Sequence, residues 1–336
     1  MIINQKKPEQ DIDQVYHIGR MVVERTNKYK YLGLIINEDG NLKDHIQEIK
    51  KKTEAAYEST ISICQNNLFR GIEMATTCIW KLYETCLQPL ITYGLETWPI
   101  KKSELIEIEK IQEHLIKRFL MTPYQTPSEA IYYETGLMNI ENLIYRNRIL
   151  MKERLGKKQI NLVNKTIEIN GKNSWQTTAD DLSKKLGVER NRNRPTKIPI
   201  RNKLKLNQYE TLKKSSMYKS KINHLKNNVI NYKNERKEYI NVLNRKQASL
   251  IFTLKAKSRM LEVKNNFKEN FKKDPSCRKC LIHLETQEHI FNTCPAIHLN
   301  NEYKISNNEI FNEDIPALKN TAEKIEKIFK ILQDKN

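Results

Sequence analysis

Glycine is scarce, at 9 of 336 residues, under half its usual share of about 7%. That scarcity argues against glycine-rich loops that cradle phosphate, against a Rossmann-type enzyme, and against barrels of tight hairpins. No apolar run approaches the ~18 residues that a membrane span needs. The opening, Met1-Ile2-Ile3-Asn4-Gln5-Lys6, lacks the basic-then-apolar form of a secretory signal. Neither secretion nor a membrane partner is expected, and the expected location is intracellular and nuclear. No compact Lys/Arg run marks nuclear import; Lys50-Lys51-Lys52 lies within a helical pattern. Walker loops, Ser/His/Asp groupings and paired catalytic carboxylates are not found. Hydrophobic residues make up 38% of the chain, low for a compact globule but sufficient for a core. The length allows two domains on the usual scale of roughly 100–200 residues each.

What the chain has is positive charge, in one place. The formal net charge is +19. Residues 1–150 sum to −1, residues 151–276 to +21, and residues 277–336 to −1. A basic stripe of this density is the footprint of phosphate binding through counterion release. Trp175, Tyr209, Tyr218, Tyr232 and Tyr239 are interleaved with the charge and could stack on bases. The competing reading is a solvated, lysine-rich linker. RNA or DNA is the expected partner. The expected contacts begin with Arg190, Arg192, Arg194 and Lys197. They continue through Arg201, Lys203, Lys205, Lys213 and Lys214 to Arg245, Lys246 and Arg259.

Periodicity predicts mainly helix. Tyr29–Ile36 reads as a strand ended by the turn Asn37-Glu38-Asp39-Gly40. Leu42, Ile46, Ile49, Ala56 and Ile63 mark an amphipathic helix to about residue 66. A second helix is expected from Gly71 to Thr97, kinked by Pro89. A third opens with Ser103 as N-cap and Glu104 and Glu107 in its first turn. Thr126-Pro127-Ser128-Glu129 has the form of a capping box before a helix that Gly136 stops. Asn139 is expected to cap the next, which ends near Gly156. A short helix follows from Thr178 to Leu186, closed by Gly187. Residues 188–210, with Pro195 and Pro199, read as an extended linker. Helical spacing returns over about Glu235–Val263 and again over Asp314–Leu332.

Three of the six cysteines cluster as Cys277-x2-Cys280-x8-His289-x4-Cys294. Two cysteines two residues apart can bite one ion from a tight turn. A His and a Cys separated by about a helical turn can complete a tetrahedron. Zn²⁺ suits sulfur and imidazole ligands, and four ligands leave no open position, so the expected site is structural. His283 is the alternative to His289. A disulfide is disfavoured without secretion. Arg278 and Lys279 project from the turn and are further candidates for phosphate contact. Cys64, Cys78 and Cys86 lie on or near helical stripes and read as buried small hydrophobes.

No catalytic residue is assigned. Ala179-Asp180-Asp181 resembles the aspartate pair with which reverse-transcriptase-type polymerases hold Mg²⁺. It is flanked by polar residues rather than apolar strands, and reads instead as a helix start.

Four segments carry a family resemblance. Lys30-Tyr31-Leu32-Gly33 with Asp39-Gly40 resembles the stretch just after the palm of non-LTR (LINE-type) retrotransposon reverse transcriptases. Leu90-Ile91-Thr92-Tyr93-Gly94-Leu95-Glu96-Thr97-Trp98 is similar to the helix end that follows it. Thr126-Pro127-Ser128-Glu129-Ala130 with Glu134, Gly136 and Leu137 is similar to a later thumb segment. Asn244-Arg245-Lys246-Gln247-Ala248-Ser249 with Arg259-Met260, and then Glu285-Thr286-Gln287-Glu288-His289, resemble the approach to and interior of a CCHC knuckle. The resemblance implies a thumb that grips template–primer duplex and a knuckle that helps hold RNA or target DNA. It places the polymerase aspartates, and Mg²⁺ with them, upstream of residue 30, and in some members a restriction-type endonuclease beyond the knuckle; this chain is expected to lack both. The chain alone is therefore expected to be inactive as a polymerase.

The expected architecture is mainly α. Residues 1–40 form the end of a palm-like β segment and 41–156 a helical thumb-like bundle. Residues 157–234 form a basic, partly disordered linker. Residues 235–300 hold a helix and the zinc knuckle, and 301–336 a C-terminal helix. Two other functions fit the same residues: a host-adopted zinc-knuckle nucleic-acid-binding protein, and a helical protein–protein adaptor whose charge serves solubility.

Overall fold

A computed structural model describes residues 16–23, 26–65, 76–158, 175–187, 197–218, 235–256, 274–298 and 303–333. The described residues are mainly helical, and none of their helices is long and apolar enough to cross a membrane. They cluster into two compact units. One draws on Met1–Ile61, Tyr83–Gln112 and Ile140–Leu204; the other on Ser62–Leu82, Glu113–Asn139 and Lys205–Asn336. This division cuts across the 41–156 bundle and joins the knuckle to the C-terminal helix.

In the first unit two antiparallel hairpins lead the chain. Strand β1, Tyr16–Ile18, pairs with β2, Met21–Val23. Strand β3, Lys28–Tyr31, pairs with β4, Leu34–Asn37. The single strand expected over residues 29–36 is thus a hairpin. Its turn is Leu32-Gly33, and both residues have positive φ. Helix α1, Lys43–Gln65, follows the predicted stripe over its first half, where Leu42, Ile46 and Ile49 are buried. Further on Thr53, Tyr57 and Ile61 are buried, Ala56 is half-buried, and the Ile63 side chain lies outside the described residues.

The predicted second helix is interrupted. Helix α2, Thr76–Leu82, passes into a π-turn, Tyr83–Leu87, and then α3, Gln88–Thr92, with Pro89 in its first turn. Proline removes an N–H donor, and the turn just before it takes the wider π form. Helix α4, Lys102–Phe119, does not use Ser103 as its cap. The Glu104 carboxylate accepts the Lys101 N–H at 2.8 Å and the Leu42 N–H at 2.9 Å.

Helix α5, Ser128–Thr135, begins without the expected capping box; Pro127 occupies the N-cap position, and no side chain caps it. The Thr126 hydroxyl donates to the Pro123 carbonyl at 2.7 Å. Gly136 does close α5, in the left-handed conformation at φ 61°. Helix α6, Ile140–Lys158, starts directly after Asn139, and its first N–H donates to Glu109 at 2.8 Å.

Much of the expected linker is helical. Helix α7 spans Trp175–Lys185 and α8 spans Lys197–Tyr218. Pro199 is tolerated because it falls in the first turn of α8, where N–H groups lack intrahelical acceptors anyway. Ile200, Leu204 and Gln208 form the buried stripe of α8. Gln208 bonds to the Asn139 N–H and the Leu137 carbonyl at 3.0 and 2.9 Å.

The second unit continues with α9, Glu238–Val242, and α10, Arg245–Lys255, capped by the Asn244 side chain. The break at Leu243-Asn244 divides what periodicity read as one helix. Helix α11, Asn307–Ile310, carries a full capping box between Ser306 and Glu309, and α12, Ile315–Gln333, closes the chain. Leu318, Ala322, Ile325, Phe329 and Leu332 are buried along α12, as its spacing predicts.

Candidate metal centre

Cys277, Cys280, His289 and Cys294 come together in the second unit, with their ligand atoms within 4.8 Å of one another. Two local structures deliver them. Around the first pair, the Cys277 N–H donates to the His283 carbonyl at 2.7 Å and the Glu285 N–H to the Pro275 carbonyl at 2.9 Å. This small hairpin folds residues 278–283 into a loop. The Ile282 and His283 N–H groups point at the Cys280 sulfur. Around the second pair, a π-turn spans His289–Thr293, and the Cys294 N–H closes it on the His289 carbonyl at 2.8 Å. The Ala296 and Ile297 N–H groups point at the Cys294 sulfur. Backbone donors aimed at sulfur favour thiolates, which are the metal-binding form.

The distances suit one ion. Sulfur–metal bonds of about 2.3 Å in a tetrahedron place two sulfurs about 3.8 Å apart. The sulfurs of Cys277 and Cys294 are 3.8 Å apart, and the Cys280 sulfur is 3.3 Å from His289 Nε2. His289 Nδ1 lies 3.3 Å from the Thr293 hydroxyl. That contact occupies the other ring nitrogen and leaves Nε2 for the metal. His283 is exposed and outside the group, its ring 5.3 Å from that of His289.

Electrostatics call for a cation. Burial, more than the Cys277 sulfur beside it, pushes the Cys294 thiol up to about 12. Burial opposes ionisation at Cys280 too, but N–H bonds from His283 and Ile282 and the neighbouring thiols outweigh it, so its thiol is lowered. Burial, followed by the nearby His283, holds His289 below its ordinary value and so neutral. Several sulfurs this close ionise together only around a positive ion.

The surroundings hold the centre in place. Glu285, fully buried, takes the Arg278 side chain in an ion pair at 2.6 Å. Phe291 lies edge-on to Phe329 of α12 at 6.3 Å. Among the described residues this is the one Cys, His, Asp or Glu group able to hold a metal. Asp180 belongs to no such group: it is exposed and ion-paired with Lys152, a full turn inside α7.

The expected nucleic-acid contacts are scattered. Arg190, Arg192, Arg194 and Arg259 lie outside the described residues, as do the side chains of Lys197 and Lys213 on α8. Arg201, Lys214 and Lys246 are exposed and Lys205 is half-buried. Lys203 donates to the Gly187 carbonyl at 2.7 Å. Arg245 is turned inward, to the Phe119 and Arg118 carbonyls at 2.8 and 2.7 Å. Arg278 is half committed to Glu285, and Lys279 lies beside it, partly exposed. Of the aromatic residues, Tyr239 is buried and bonds to Glu134, which removes it as a stacking surface. Tyr209 is half-buried; Tyr232 and the side chains of Trp175 and Tyr218 lie outside the described residues.

Cys78 and Cys86 are exposed, not buried. The π-turn shifts Cys86 off the stripe that Tyr83, Leu87 and Ile91 occupy. The Cys64 side chain lies outside the described residues. Glu285, Thr293 and Phe291 went unseen as supports of the site. Their partners lie across a hairpin, within a π-turn and on a distant helix, so no local spacing marks them.

No known protein family, characterised protein or solved structure matches this chain.

Proposed function

We propose that this chain is a nucleic-acid-binding protein in which a Zn²⁺-ordered CCHC knuckle stands beside a strongly basic region. It follows the pattern of the thumb-to-knuckle part of LINE-type reverse transcriptases. The carrying observation is the gathered Cys3His group, placed directly after a stretch of net charge +21. Three sulfurs and one imidazole favour zinc over harder cations, and a four-ligand set makes the ion structural. No polymerase chemistry is assigned to these residues. The basic stretch attracts phosphate, and the knuckle adds a rigid element at its end.

Two measurements test this. Metal analysis after dialysis should find one zinc per chain, released by Cys280→Ser. Titration with RNA should give a log affinity that falls linearly with log salt, by several units if on the order of six phosphates are engaged. No zinc, or RNA binding indifferent to salt, overturns the reading.

One observation favours a protein partner instead. The outer loop of the knuckle presents Leu281, Ile282 and Leu284, all exposed. Salt-insensitive binding to another protein through this tip would support the adaptor reading.

A further inference from the structure

The three sulfurs of the metal centre differ in access. Cys277 and Cys294 are 0% exposed. Cys280 is partly exposed, and the two residues after it, Leu281 and Ile282, lie open to solvent. Cys277 sits on the small hairpin and Cys294 at the end of the π-turn, so the buried sulfurs belong to the two structures that the centre joins. They are 3.8 Å apart. A disulfide bond of about 2.05 Å asks each to move inward by about 0.9 Å. The Cys280 sulfur lies within 4.8 Å of both. An accessible sulfur beside two shielded ones is the arrangement in which an oxidised cysteine is resolved by a neighbour before it is oxidised further.

We propose that this centre is a reversible modification site for hydroperoxides: Cys280 takes the oxidation, and a Cys277–Cys294 disulfide then replaces the metal as the link between hairpin and π-turn. The inference rests on the zinc reading of the centre and not on nucleic-acid binding. The Cys280 thiolate attacks one oxygen of hydrogen peroxide. The O–O bond breaks, the sulfur becomes a sulfenic acid, and the departing hydroxide takes a proton to become water. Cys277 attacks that sulfur next. The S–S bond forms as the S–O bond breaks, and the oxygen leaves, with a second proton, as a second water. Cys294 attacks Cys277 in turn and releases Cys280 as a thiolate. Two thiolates have then lost two electrons, and the peroxide has gained them. Cys280 and His289 alone cannot complete a four-ligand site, so the metal is lost. Thiol reductants reverse the exchange. Disulfides that form inside cells are commonly transient and oxidant-sensing in this way.

The test uses the full chain, loaded with zinc and freed of reductant. Hydrogen peroxide is added, metal release is followed with a chromogenic chelator, and the cysteines are mapped by mass spectrometry. All of the bound zinc should be released. Dimedone, a trap for sulfenic acid, should at early times mark Cys280 and neither Cys277 nor Cys294. Cys78 and Cys86, both exposed, report in the same digest that oxidant was present. Without the trap the end product should be the Cys277–Cys294 disulfide, and dithiothreitol should restore zinc uptake. Cys280→His supplies a Cys2His2 ligand set. It should hold zinc and release it at least about tenfold more slowly, because the accessible thiolate is gone. If that variant binds no zinc, the wild-type trap and disulfide map still decide. Zinc retained while Cys78 and Cys86 are oxidised overturns the site. So does a first adduct on Cys277 or Cys294, or an end product with Cys280 in the disulfide or as a sulfinic or sulfonic acid. A reduced chain that takes up no zinc before any peroxide is added overturns the zinc reading itself, so the two failures are told apart.

Discussion

Arg278 and Glu285 hold each other across the turn that carries the first two cysteines. The fully buried Glu285 carboxylate accepts the Arg278 backbone N–H at 3.1 Å, its Nε at 2.9 Å and its Nη2 at 2.6 Å. Arg278 sits between Cys277 and Cys280, so the pair fixes the bite of both sulfurs. It also commits the Arg278 guanidinium to a carboxylate.

Removing that carboxylate should loosen the metal. Supports of this kind, one step behind the ligands, are worth roughly 10–100-fold in affinity. Glu285→Gln keeps the shape but loses the charge, and should weaken zinc binding about tenfold in competition with a chelator. An unchanged metal affinity would show that the ligands set their own geometry.

Protonation of His45 should unlock the first unit. Its Nδ1 accepts the Ile35 N–H at 3.4 Å, and its Nε2 lies 3.2 Å from the Tyr93 carbonyl. Both bonds together require a neutral ring with its proton on Nε2. Burial, the largest cause, lowers its pKa; the Tyr93 carbonyl opposes this, and Lys52 and Glu48 contribute less. The folded value therefore lies below the unfolded one of about 6.5. The unfolded chain binds more protons on the acid side, so this stability is complete above about pH 6.5. It is lost as pH falls towards and through the lower folded value. Urea unfolding at a series of pH values should show that loss, and His45→Gln should flatten its share of it. An identical slope in the variant would assign the effect elsewhere.

Much of this organisation is legible in the sequence. Where burial alone selects residues, spacing reveals it, as in the first half of the α1 stripe and along α12. Where residues must converge on one point, their spacing in sequence reveals that too, as with Cys277, Cys280, His289 and Cys294. Where a backbone peculiarity or a distant polar partner decides, spacing fails. Helix α8 was hidden because Gln208 interrupts its apolar stripe and Pro199 resembles a linker residue. The π-turn before α3 shifts the register, so Cys86 was assigned to the wrong face. The start of α4 depends on a carboxylate, Glu104, that also serves Leu42, 62 residues away. Exposed β1 and β2 have no hydrophobic alternation to detect, because neither face is buried.

Gly136 should not accept a side chain. Its φ is 61°, where an L-residue is strained by about 1–2 kcal/mol. A Cβ there would also lie 2.7 Å from the Glu235 carbonyl carbon, a backbone atom that cannot swing aside. Gly19, at φ 60°, has nothing within 4 Å of the same position. Gly136→Ala should therefore lower Tm by clearly more than Gly19→Ala, and equal losses would mean that the backbone contact yields easily.

Arg245 and Lys246, adjacent in sequence, should separate structure from binding. Both belong to the basic stretch, and sequence alone gives them the same role. Arg245 is half-buried and ends α4 by holding the Phe119 and Arg118 carbonyls, so it fills the place of a C-terminal cap and of a favourable charge at the helix end. Lys246 is exposed. Hydrogen bonds from a charged donor contribute roughly 1.5–3 kcal/mol, and Arg245→Gln should cost about that in urea unfolding. Lys246→Gln should stay within about 0.5 kcal/mol of wild type. RNA titration, done well below both melting temperatures, should give the reverse order. Lys246→Gln should reduce the salt slope by about 0.7–0.9, one phosphate contact, and Arg245→Gln should leave it unchanged. A slope that falls with Arg245→Gln would mean that its guanidinium leaves the α4 carbonyls for phosphate when nucleic acid binds. The end of α4 would then be part of the binding surface.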